Sequence, residues 1–305
     1  MTTLLALDAG QSGMRASIRV DGAEVQLSDH RGMLTDRAVV PQLAAAVREA
    51  AQRFGRPIDV VGVGSTGLGA DETAAQFLDQ VAPLRVRQVV LAHDSVTSYL
   101  GALGHHQGVV TAAGTGVVTL AVGPSEVLRV DGWGYLVGDA GSGFWIGRAG
   151  LDAVMRAFDR RGPATSLTEP VVRDFPSLPE LYLEIQADPE RVRRVASYAK
   201  LVAEHAAAGD EVAARIVRAA GAELAHSATS GLRAVGITAD DPPVAVLGNV
   251  FGSDLVQASF EEHVRAQFGS AQFVTPLGSG LDGAALLVEV DEDEALFSTI
   301  LRADR

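Results

Sequence analysis

The segment from Asp8 to Arg15, Asp-Ala-Gly-Gln-Ser-Gly-Met-Arg, carries residue types suited to phosphate chemistry. It follows the apolar run Leu4–Leu7, which is typical of a buried strand. Glycines allow a tight turn whose hydroxyl and N–H groups hold phosphate oxygens. The phosphate-binding candidates are Gly10, Gln11, Ser12 and Gly13. Asp8 is a candidate Mg²⁺ ligand, because Mg²⁺ takes few carboxylates and keeps several waters. An ordinary β-hairpin explains the pattern equally well.

A second glycine turn, Gly114-Thr115-Gly116, lies between the predicted strands Gly108–Ala113 and Val117–Val122. It repeats the order of strand, hydroxyl-bearing turn and strand, which indicates a weak internal repeat of architecture. All three turn residues are candidates for phosphate binding, and Thr115 is also a candidate for sugar binding. A plain hairpin is the alternative interpretation.

Asp94 follows the predicted strand Val86–Ala92 and is the candidate general base. A carboxylate at a strand end can be partly desolvated and can accept the proton of a hydroxyl that attacks a phosphoryl group. The alternative is that Asp94 is only the N-cap of a helix that begins at Ser95.

The run from Asp131 to Arg148 contains six glycines and both tryptophans of the chain. Backbone freedom beside large aromatic rings suits a wall packed against a sugar or another flat ligand. Its sugar-binding candidates are Gly132, Trp133 and Asp139. A structured surface loop held by its own aromatic side chains is the alternative.

Other candidates follow predicted strands, where open α/β sheets bind ligands. Ser65 and Thr66 come after the run Ile58–Val63 and are candidate sugar contacts. The remaining nucleotide-binding candidates are Gly248, Asn249, Gly278 and Gly280. The histidines form no metal-spaced pair and receive no role.

The composition is globular, with 47% hydrophobic and 21% charged residues and a formal net charge of −13. This negative charge argues against nucleic acid and anionic membranes as partners. The chain has no cysteine, so disulfides, thiolate zinc sites and iron–sulfur clusters are excluded. With no signal or membrane segment apparent, we expect a cytoplasmic protein.

The hydrophobic pattern alternates strands and helices in the first third of the chain and becomes helical in the middle. Along the chain, helices are predicted at Pro41–Phe54, Trp145–Arg160, Pro189–Ala208, Asp210–Val235, Asp254–Phe268 and Gly283–Val290. Pro163–Pro179 is predicted to be a connecting loop. The acidic end, Asp291–Ala303, is predicted to be a terminal helix.

Taken in order, these motifs resemble the N-acetylglucosamine kinase branch of the BadF/BadG/BcrA/BcrD ATPase family, in the sugar kinase–actin–Hsp70 superfamily. Asp8–Arg15 and Gly114–Gly116 resemble its two phosphate motifs, and Gly248-Asn249 resembles its adenosine motif. The most specific match is the run of Gly132-Trp133-Gly134, Gly138-Asp139 and Trp145-Ile146-Gly147.

The resemblance implies an α/β fold with two ribonuclease-H-like lobes and a ligand cleft between them. It places an N-terminal lobe at residues 1–106, completed by a C-terminal helix at 291–305, and a second lobe at 107–290. It implies transfer of the γ-phosphate of Mg·ATP to the 6-hydroxyl of an amino sugar. Asp94 matches the catalytic aspartate, Asp139 a sugar-binding aspartate and Asp8 the carboxylate near the metal. The small-molecule partners are a sugar and ATP, and the oligomeric state stays open, a homodimer included.

Four departures concern sugar specificity rather than ATP binding. Ser12-Gly13-Met14 stands where relatives often have Thr-Lys, and Val117-Val118 where they tend to have Ser-Asn. Ala140 replaces a glutamate, and His30–Met33 replaces an Asn-rich loop. A hydroxyl left without its partner could cost on the order of a few kcal/mol. The substrate is therefore open between N-acetylglucosamine, glucosamine and related sugars.

A second hypothesis is a non-catalytic sensor of ATP or sugar with the same fold. The two valines and the missing lysine of the first phosphate motif support it, whereas the joint presence of Asp8, Asp94 and Asp139 argues against it. The family's activators with iron–sulfur clusters are excluded by the lack of cysteine. A DNA-binding repressor is not expected, because the chain shows neither an added helix-turn-helix segment nor a basic face.

Overall fold

The computed structural model describes residues 2–10, 13–34, 36–68, 72–237 and 241–305. The chain divides into two compact units. The first comprises Met1–Gly108, Val122–Val127 and Thr275–Arg305, and the second comprises Val109–Ala121 and Leu128–Val274. Each unit has a β-sheet accompanied by helices, which confirms the α/β class.

The first unit is built around a sheet with strand order β11-β5-β4-β1-β2-β3. Its strands are β1 (Thr3–Ala9), β2 (Met14–Val20), β3 (Ala23–His30), β4 (Val60–Ser65), β5 (Gln88–His93) and β11 (Ile300–Asp304). Its helices are α1 (Val39–Phe54), α2 (Ala74–Gln80), α3 (Asp94–Leu103) and α10 (Gly280–Leu286).

The predicted strand at Leu4–Leu7 is confirmed as the centre of this sheet. β1 runs antiparallel to β2 and parallel to β4, which is in turn parallel to β5. Leu5 and Leu7 have no exposed surface and belong to a core that includes Leu43 and Val47 of α1. The apolar face of α1 therefore covers the sheet, as its helical spacing predicts.

β3 was not predicted from the sequence. It pairs with β2 at the edge of the sheet, and Val25 and Leu27 are about half exposed. An edge strand is held largely by backbone hydrogen bonds to one neighbour, so it needs no clear hydrophobic alternation.

The predicted terminal helix at Asp291–Ala303 is wrong. Ala295–Thr299 forms a 3₁₀ turn, and β11 then pairs antiparallel with β5, with Leu301 opposite Leu91. Pairing with the otherwise open edge of β5 satisfies backbone groups that a short acidic helix would leave to water. Residues 275–290 also join the first unit, whereas the sequence analysis placed them in the second lobe.

Glycines allow α10 to approach its neighbours closely. A Cβ at Gly283 would lie 1.8 Å from the carbonyl oxygen of Thr97, and one at Gly101 would lie 2.0 Å from that of Ser279. A Cβ at Gly62 of β4 would lie 2.1 Å from the carbonyl oxygen of Ala284. Real Cβ atoms do not approach that closely, so these three positions fix α10 against α3 and the sheet.

The second unit has a sheet with strand order β10-β9-β6-β7-β8. Its strands are β6 (Gly108–Ala113), β7 (Val117–Val122), β8 (Val127–Val130), β9 (Pro243–Leu247) and β10 (Gln272–Phe273). Its helices are α4 (Gly143–Phe158), α5 (Thr168–Asp174), α6 (Leu181–Ala187), α7 (Arg191–Ala207), α8 (Glu211–Ala234) and α9 (Asp254–Arg265).

The two sheets share one order when each is counted along its own chain segment, 3-2-1-4-5, with β11 added to the first. β6 and β7 are joined by the predicted tight turn, β9 is parallel to β6, and β10 is parallel to β9. The internal repeat of architecture is thereby confirmed, and both predicted strands around the turn have the predicted bounds.

The helices of the second unit pack closely through glycine as well. A Cβ at Gly147 of α4 would lie 1.9 Å from the carbonyl oxygen of Val195 on α7, and one at Gly221 of α8 would lie 2.5 Å from that of Val256 on α9. The predicted loop Pro163–Pro179 is wrong in its middle, where α5 buries Val171 in the core. α5 has seven residues, which is too short for a clear helical period.

None of the described helices combines the length and apolar character needed to cross a membrane.

Candidate functional site

The first unit places two carboxylates at the carboxyl end of its parallel strands. Asp8 lies at the end of β1, and Asp94 follows the last residue of β5. β4 lies between these strands, and Gly64 stands opposite both Asp8 and Ala92 in the register. A Cβ at Gly64 would lie 2.1 Å from Thr97 Oγ1, so glycine lets Thr97 of α3 pack directly on the strand between the two carboxylates.

Burial raises the pKa of Asp8 above its usual value, and the negative charge of Asp94 raises it further, while Arg15 opposes both effects. A cation bound between the two carboxylates would stabilise their ionised form, since a nearby opposite charge lowers the pKa of a carboxyl group. A Cβ at Gly280 would lie 3.2 Å from the Asp8 carboxylate. The structure therefore brings Gly280, a nucleotide-binding candidate, next to the metal candidate.

Asp94 is not the N-cap of α3. His93 has the extended cap conformation, and its Nδ1 accepts a hydrogen bond from the N–H of Ser95 at 3.2 Å. Asp94 is the first residue of the helix, its carboxylate is about one-third exposed, and its Oδ1 lies 2.9 Å from His93 Nδ1. The capping alternative is therefore wrong, and a role for Asp94 as a base stays open. His93 belongs to none of the sequence motifs, and its position beside Asp94 is the signal that could have identified it.

The first glycine turn is described only at its two ends, since Gln11 and Ser12 lie outside the described residues. The N–H of Gly10 donates to the carbonyl oxygen of Gly13 at 3.1 Å, and Gly10 accepts from the N–H of Met33 at 3.0 Å. The turn is thus tied to the segment that follows β3.

The structure separates the two candidates after β4. Ser65 is fully buried, and its hydroxyl contacts the Met33 sulfur and donates to the carbonyl oxygen of Thr66. A buried and satisfied hydroxyl cannot contact a sugar without rearrangement, so Ser65 is withdrawn as a sugar contact. Thr66 is partly exposed and remains a candidate.

Gly278 has a structural contact of its own, because its N–H donates to the carbonyl oxygen of Gly101 at 2.7 Å. Ser279 caps α10 in a capping box with Asp282, which also pairs with Arg19 at 2.6 Å. This arrangement fixes the start of α10, where Gly280 lies beside Asp8.

In the second unit the turn Gly114-Thr115-Gly116 is fastened to the start of α4. The N–H of Gly114 donates to the carbonyl oxygen of Gly116, while Gly143 and Phe144 donate to the carbonyl oxygens of Gly114 and Thr115. The side chain of Thr115 is exposed, as phosphate binding requires. Val117, however, is a core residue with 5% exposure, so its replacement of a polar residue does not by itself alter an open site.

Two aspartates shape the loop that follows β8. Asp131, which the sequence analysis did not single out, accepts hydrogen bonds from the N–H groups of Gly132, Asp139 and Ala140 at 2.8–2.9 Å. Asp139 has only 8% exposure and accepts from the N–H groups of Gly134 and Val117. The loop is therefore held by carboxylates at both of its ends.

Burial raises the pKa of Asp139, although its backbone hydrogen bonds oppose that effect. A Cβ at Gly116 would lie 2.7 Å from Asp139 Oδ2, so Asp139 sits directly against the phosphate turn. Trp133 is 61% exposed, and the guanidinium of Arg129 lies 4.6 Å from its ring centre. The ring of Trp133 is therefore available to a ligand, whereas the carboxylate of Asp139 accepts hydrogen bonds from backbone N–H groups around the loop.

The turn after β9 requires its glycine. Gly248 has a φ of +93°, and a Cβ there would lie 2.3 Å from the carbonyl oxygen of Ala113. Asn249 is exposed beside it. Gly248 thus has a structural role at the end of β6, and Asn249 remains the ligand candidate.

A cavity of about 790 Å³ lies within the second unit and joins two of the predicted motifs. Gly114 and Thr115 line it together with Asn249, and Gly143 adds the start of α4. One face of α7, from Arg193 to Ala207, forms another wall. Its volume is in the range of small-molecule and cofactor sites. The α7 face was missed because small residues at helical spacing look the same whether they face a ligand or a neighbouring helix.

Among the residues that the structure describes, no three histidine or acidic side chains are grouped to hold a metal by themselves. The Asp8–Asp94 pair is the candidate cation site, because its like charges would be offset by a bound cation. Mg²⁺ is commonly held by one or two carboxylates together with substrate phosphates.

A model of the BadF/BadG/BcrA/BcrD ATPase family matches residues 14–288. The chain is 22% identical to an N-acetylmuramic acid/N-acetylglucosamine kinase from Clostridium acetobutylicum, over 96% of the chain and 100% of the relative. It is 31% identical to an N-acetyl-D-glucosamine kinase from Dictyostelium discoideum, over 61% of the chain and 60% of that enzyme.

The chain also resembles solved structures of sugar kinases. A candidate N-acetylglucosamine kinase from Chromobacterium violaceum is 26% identical, with a TM-score of 0.72 over 94% of this chain and 99% of that one. A ROK family glucokinase from Streptomyces griseus, solved with glucose and AMPPNP, is 18% identical, with a TM-score of 0.53 over 93% and 98% of the two chains. The expected sugar-kinase fold is confirmed by these likenesses.

Proposed function

Because this chain belongs to the BadF/BadG/BcrA/BcrD ATPase family, we propose that it is an ATP-dependent kinase of an amino sugar. The observation that carries this proposal is the cavity of about 790 Å³ in the second unit. It is lined by the phosphate turn at Gly114-Thr115 and by Asn249 of the adenosine motif. Two motifs far apart in sequence thus meet at one cavity with the size of a cofactor site.

In this proposal Asp94 accepts the proton of the sugar 6-hydroxyl. Its carboxylate is partly exposed at a strand end and, as part of the first turn of α3, is not used as a cap. A hydroxyl that loses its proton to a positioned carboxylate becomes a better nucleophile toward the γ-phosphate.

Mg²⁺ fits the Asp8 side of this carboxylate pair. A cation offsets the burial and the like charge that raise the pKa of Asp8. When bound, Mg²⁺ supplies charge that stabilises the phosphates during transfer. The described part of the first glycine turn contains no lysine that could supply that charge instead.

The acceptor is a hexosamine in this proposal, with Trp133 and Thr66 as sugar contacts. The relatives from Clostridium acetobutylicum and Dictyostelium discoideum act on N-acetylated sugars, which supports N-acetylglucosamine or N-acetylmuramic acid. The exposed ring of Trp133 suits the apolar face of a sugar. We also propose a cytoplasmic location, which suits a chain without cysteine.

The test is turnover of a sugar panel by the purified protein. ADP release is recorded with Mg·ATP and N-acetylglucosamine, N-acetylmuramic acid, glucosamine, N-acetylmannosamine or glucose, and phosphorus NMR locates the new phosphate. We expect a 6-phosphate on an N-acetylated hexosamine, and no turnover of the matching 6-deoxy sugar. ADP release must also depend on Mg²⁺ and disappear with excess EDTA.

Two outcomes contradict the proposal in different ways. Turnover of the 6-deoxy sugar would show that another hydroxyl accepts the phosphate. Tight binding of ATP and a sugar without turnover of any sugar would favour the alternative of a non-catalytic sensor. An Asp94→Asn preparation, purified in the same way, controls for contaminating kinases.

A further inference from the structure

Lys200 is the only lysine in a chain of 305 residues, and the other basic residues among its 25 Lys and Arg are arginine. It lies on α7 and lines the cavity of the second unit. A chain that uses arginine at every other basic position therefore places its one flexible ammonium group at the proposed nucleotide site. An ammonium is a compact point charge, which a planar guanidinium does not replace.

Glu204 lines the same cavity one helical turn further along α7, and its Oε1 lies 3.8 Å from Lys200 Nζ. The two side chains are 85% and 59% exposed, so their ion pair contributes little to stability. The order with lysine before glutamate is also the weaker orientation for a helix. The stability of α7 thus gives no reason for this pair, and both side chains are free to turn toward a ligand.

The position of the pair along α7 can be measured from the phosphate end of the cavity. That end is marked by Gly143 at the start of α4, whose N–H donates to Gly114 at 2.7 Å. A Cβ at Gly143 would lie 3.6 Å from the carbonyl oxygen of Ala196, so Ala196 is the α7 residue beside it. At a rise of about 1.5 Å per residue, Lys200 is roughly 6 Å and Glu204 roughly 12 Å further along.

These distances separate the roles of the two side chains. With phosphates at the start of α4, the side chain of Lys200 is the nearer of the two to them and can lean back toward the α-phosphate, because helical side chains tilt toward the N-terminus. A group one turn beyond meets the ribose hydroxyls. Ala203 and Ala207, which also line the cavity, leave space for a base at that end.

We propose that Lys200 and Glu204 select the sugar part of the nucleotide, with Lys200 binding the α-phosphate and Glu204 accepting a hydrogen bond from a ribose hydroxyl. The inference rests on the proposed function, because it takes the cavity to be the ATP site. It adds a preference for ribonucleotides over deoxyribonucleotides and assigns that preference to two side chains.

The first experiment measures the dissociation constants of ADP, 2′-deoxy-ADP and 3′-deoxy-ADP by calorimetry. Hydrogen bonds to charged groups are worth about ten-fold or more in affinity, so ADP should bind at least about ten-fold tighter than one of the deoxy analogues. Glu204→Ala should abolish this ratio by weakening ADP alone. Glu223→Ala, an exposed glutamate on α8 outside the cavity lining, should leave the ratio unchanged.

Lys200→Gln tests the other half. We expect it to weaken ADP several-fold without changing the affinity for adenosine, because adenosine has no phosphate. Arg215→Gln on α8 removes the same charge outside the cavity lining and controls for net charge. An equal loss for ADP and adenosine would overturn the assignment of Lys200 to the phosphate.

A spectroscopic test uses the fact that Lys200 is the only side-chain amine. Reductive methylation with ¹³C-formaldehyde labels that lysine and the α-amine alone, and the α-amine serves as the internal reference. Addition of ADP should shift the lysine signal and leave the reference in place, whereas adenosine should shift it less.

The outcomes separate this inference from the proposed function. The inference fails, and the proposed kinase stands, if ADP binds but does not shift the lysine signal. The same holds if ADP binds and Glu204→Ala leaves the ratio of the affinities for ADP and its deoxy analogues unchanged. If the wild-type protein binds neither ADP nor ATP, the nucleotide site itself fails, and the inference fails with it.

Discussion

The two units use one strand order for different chemistry. In the first unit β1 ends in Asp8, two residues before the turn at Gly10. In the second unit β6 has Ala112 at the matching distance from Gly114. In the register Asp8 stands opposite Gly64, whereas Ala112 stands opposite Leu247. At this edge the first unit carries a carboxylate, whereas the second carries apolar side chains.

This difference separates the acid–base work from the nucleotide site. The first unit gathers carboxylates, and burial together with the like charge of Asp94 raises the pKa of Asp8. The second unit gathers glycines and alanines around a cavity together with four charged residues, Arg193, Lys200, Glu204 and Asp254. A shared fold therefore fixes where the strands end, and the side chains at those ends decide the chemistry.

The largest expected effect separates the units by function. Asp94→Asn should lower kcat by about 10²–10⁴-fold, because an amide cannot take the hydroxyl proton. The affinity for ADP should not change, since the cavity is lined by residues of the second unit. Steady-state kinetics and calorimetry on the same preparation measure the two quantities.

The matched control for Asp94→Asn is Asp79→Asn, which changes a carboxylate that is 85% exposed on α2. It should retain the wild-type kcat. An Asp94→Asn enzyme that keeps more than half of the wild-type kcat would remove Asp94 as the base.

The next effect concerns stability and compares the glycine contacts of the units. Gly283→Ala places a Cβ 1.8 Å from Thr97, and Gly147→Ala places one 1.9 Å from Val195, in each case at a backbone carbonyl oxygen. Each should lower the free energy of unfolding by about 1–3 kcal/mol or more, which exceeds the gain in helix propensity. Urea denaturation measures the loss.

Hydrogen exchange shows which unit each variant weakens. Gly283→Ala should speed exchange in α3 and α10, and Gly147→Ala should speed it in α4 and α7. Gly252→Ala is the control, because a Cβ there meets nothing within 4 Å. If both variants speed exchange equally in all four helices, the two units do not lose stability separately.

A smaller effect is expected at Asp210, the N-cap of α8. Burial raises its pKa, but hydrogen bonds from Ala213, Ser166 and Thr165 outweigh that effect, and the pKa lies well below its usual value. Asp210→Ala should cost about 1–2 kcal/mol at neutral pH. Since the folded pKa is lowered, the wild type's advantage should be complete above the ordinary value of 3.8 and should shrink as the pH falls below it.

Thermal unfolding from pH 7 to pH 3 checks this dependence, with Glu223→Ala on the exposed side of α8 as control. A difference between wild type and Asp210→Ala that stays constant over this range would show that the carboxylate is not ionised as described.

The smallest effect has the opposite sign and belongs to the first unit. Because the folded pKa of Asp8 is raised, its ionisation opposes folding, and Asp8→Asn should be slightly more stable than wild type at pH 7 without metal. The difference should shrink as the pH falls through the raised pKa and vanish below the ordinary value of 3.8. The control is Asp79→Asn, at a carboxylate 85% exposed and away from Asp8 and Arg15, and it should show no such dependence.

Adding Mg²⁺ tests whether Asp8 contributes to metal binding. Mg²⁺ with ADP should raise the unfolding temperature of the wild type more than that of Asp8→Asn. An equal rise in both proteins would place the metal away from Asp8.

Local patterns were sufficient to predict much of the fold. The run Leu4–Leu7, the face of α1 and the bounds of β6 and β7 follow from hydrophobic period and turn chemistry. β3 and β11 were not predicted, because an edge strand is held by backbone pairing that leaves little trace in the side-chain pattern. The candidate site was predicted at its motifs, but not at Asp131, His93 or the face of α7.

The sequence by itself determined the residue types at the strand ends: Asp8, Asp94, and the turns at Gly10 and Gly114. These types depend on local chemistry and on neighbours in the chain. Only the tertiary structure decided that Ser65 is buried, that Asp139 is bonded to its own loop, and that Lys200 lines the cavity with Thr115. Burial and long-range contacts depend on how distant elements pack, and no local pattern in the chain encodes that packing.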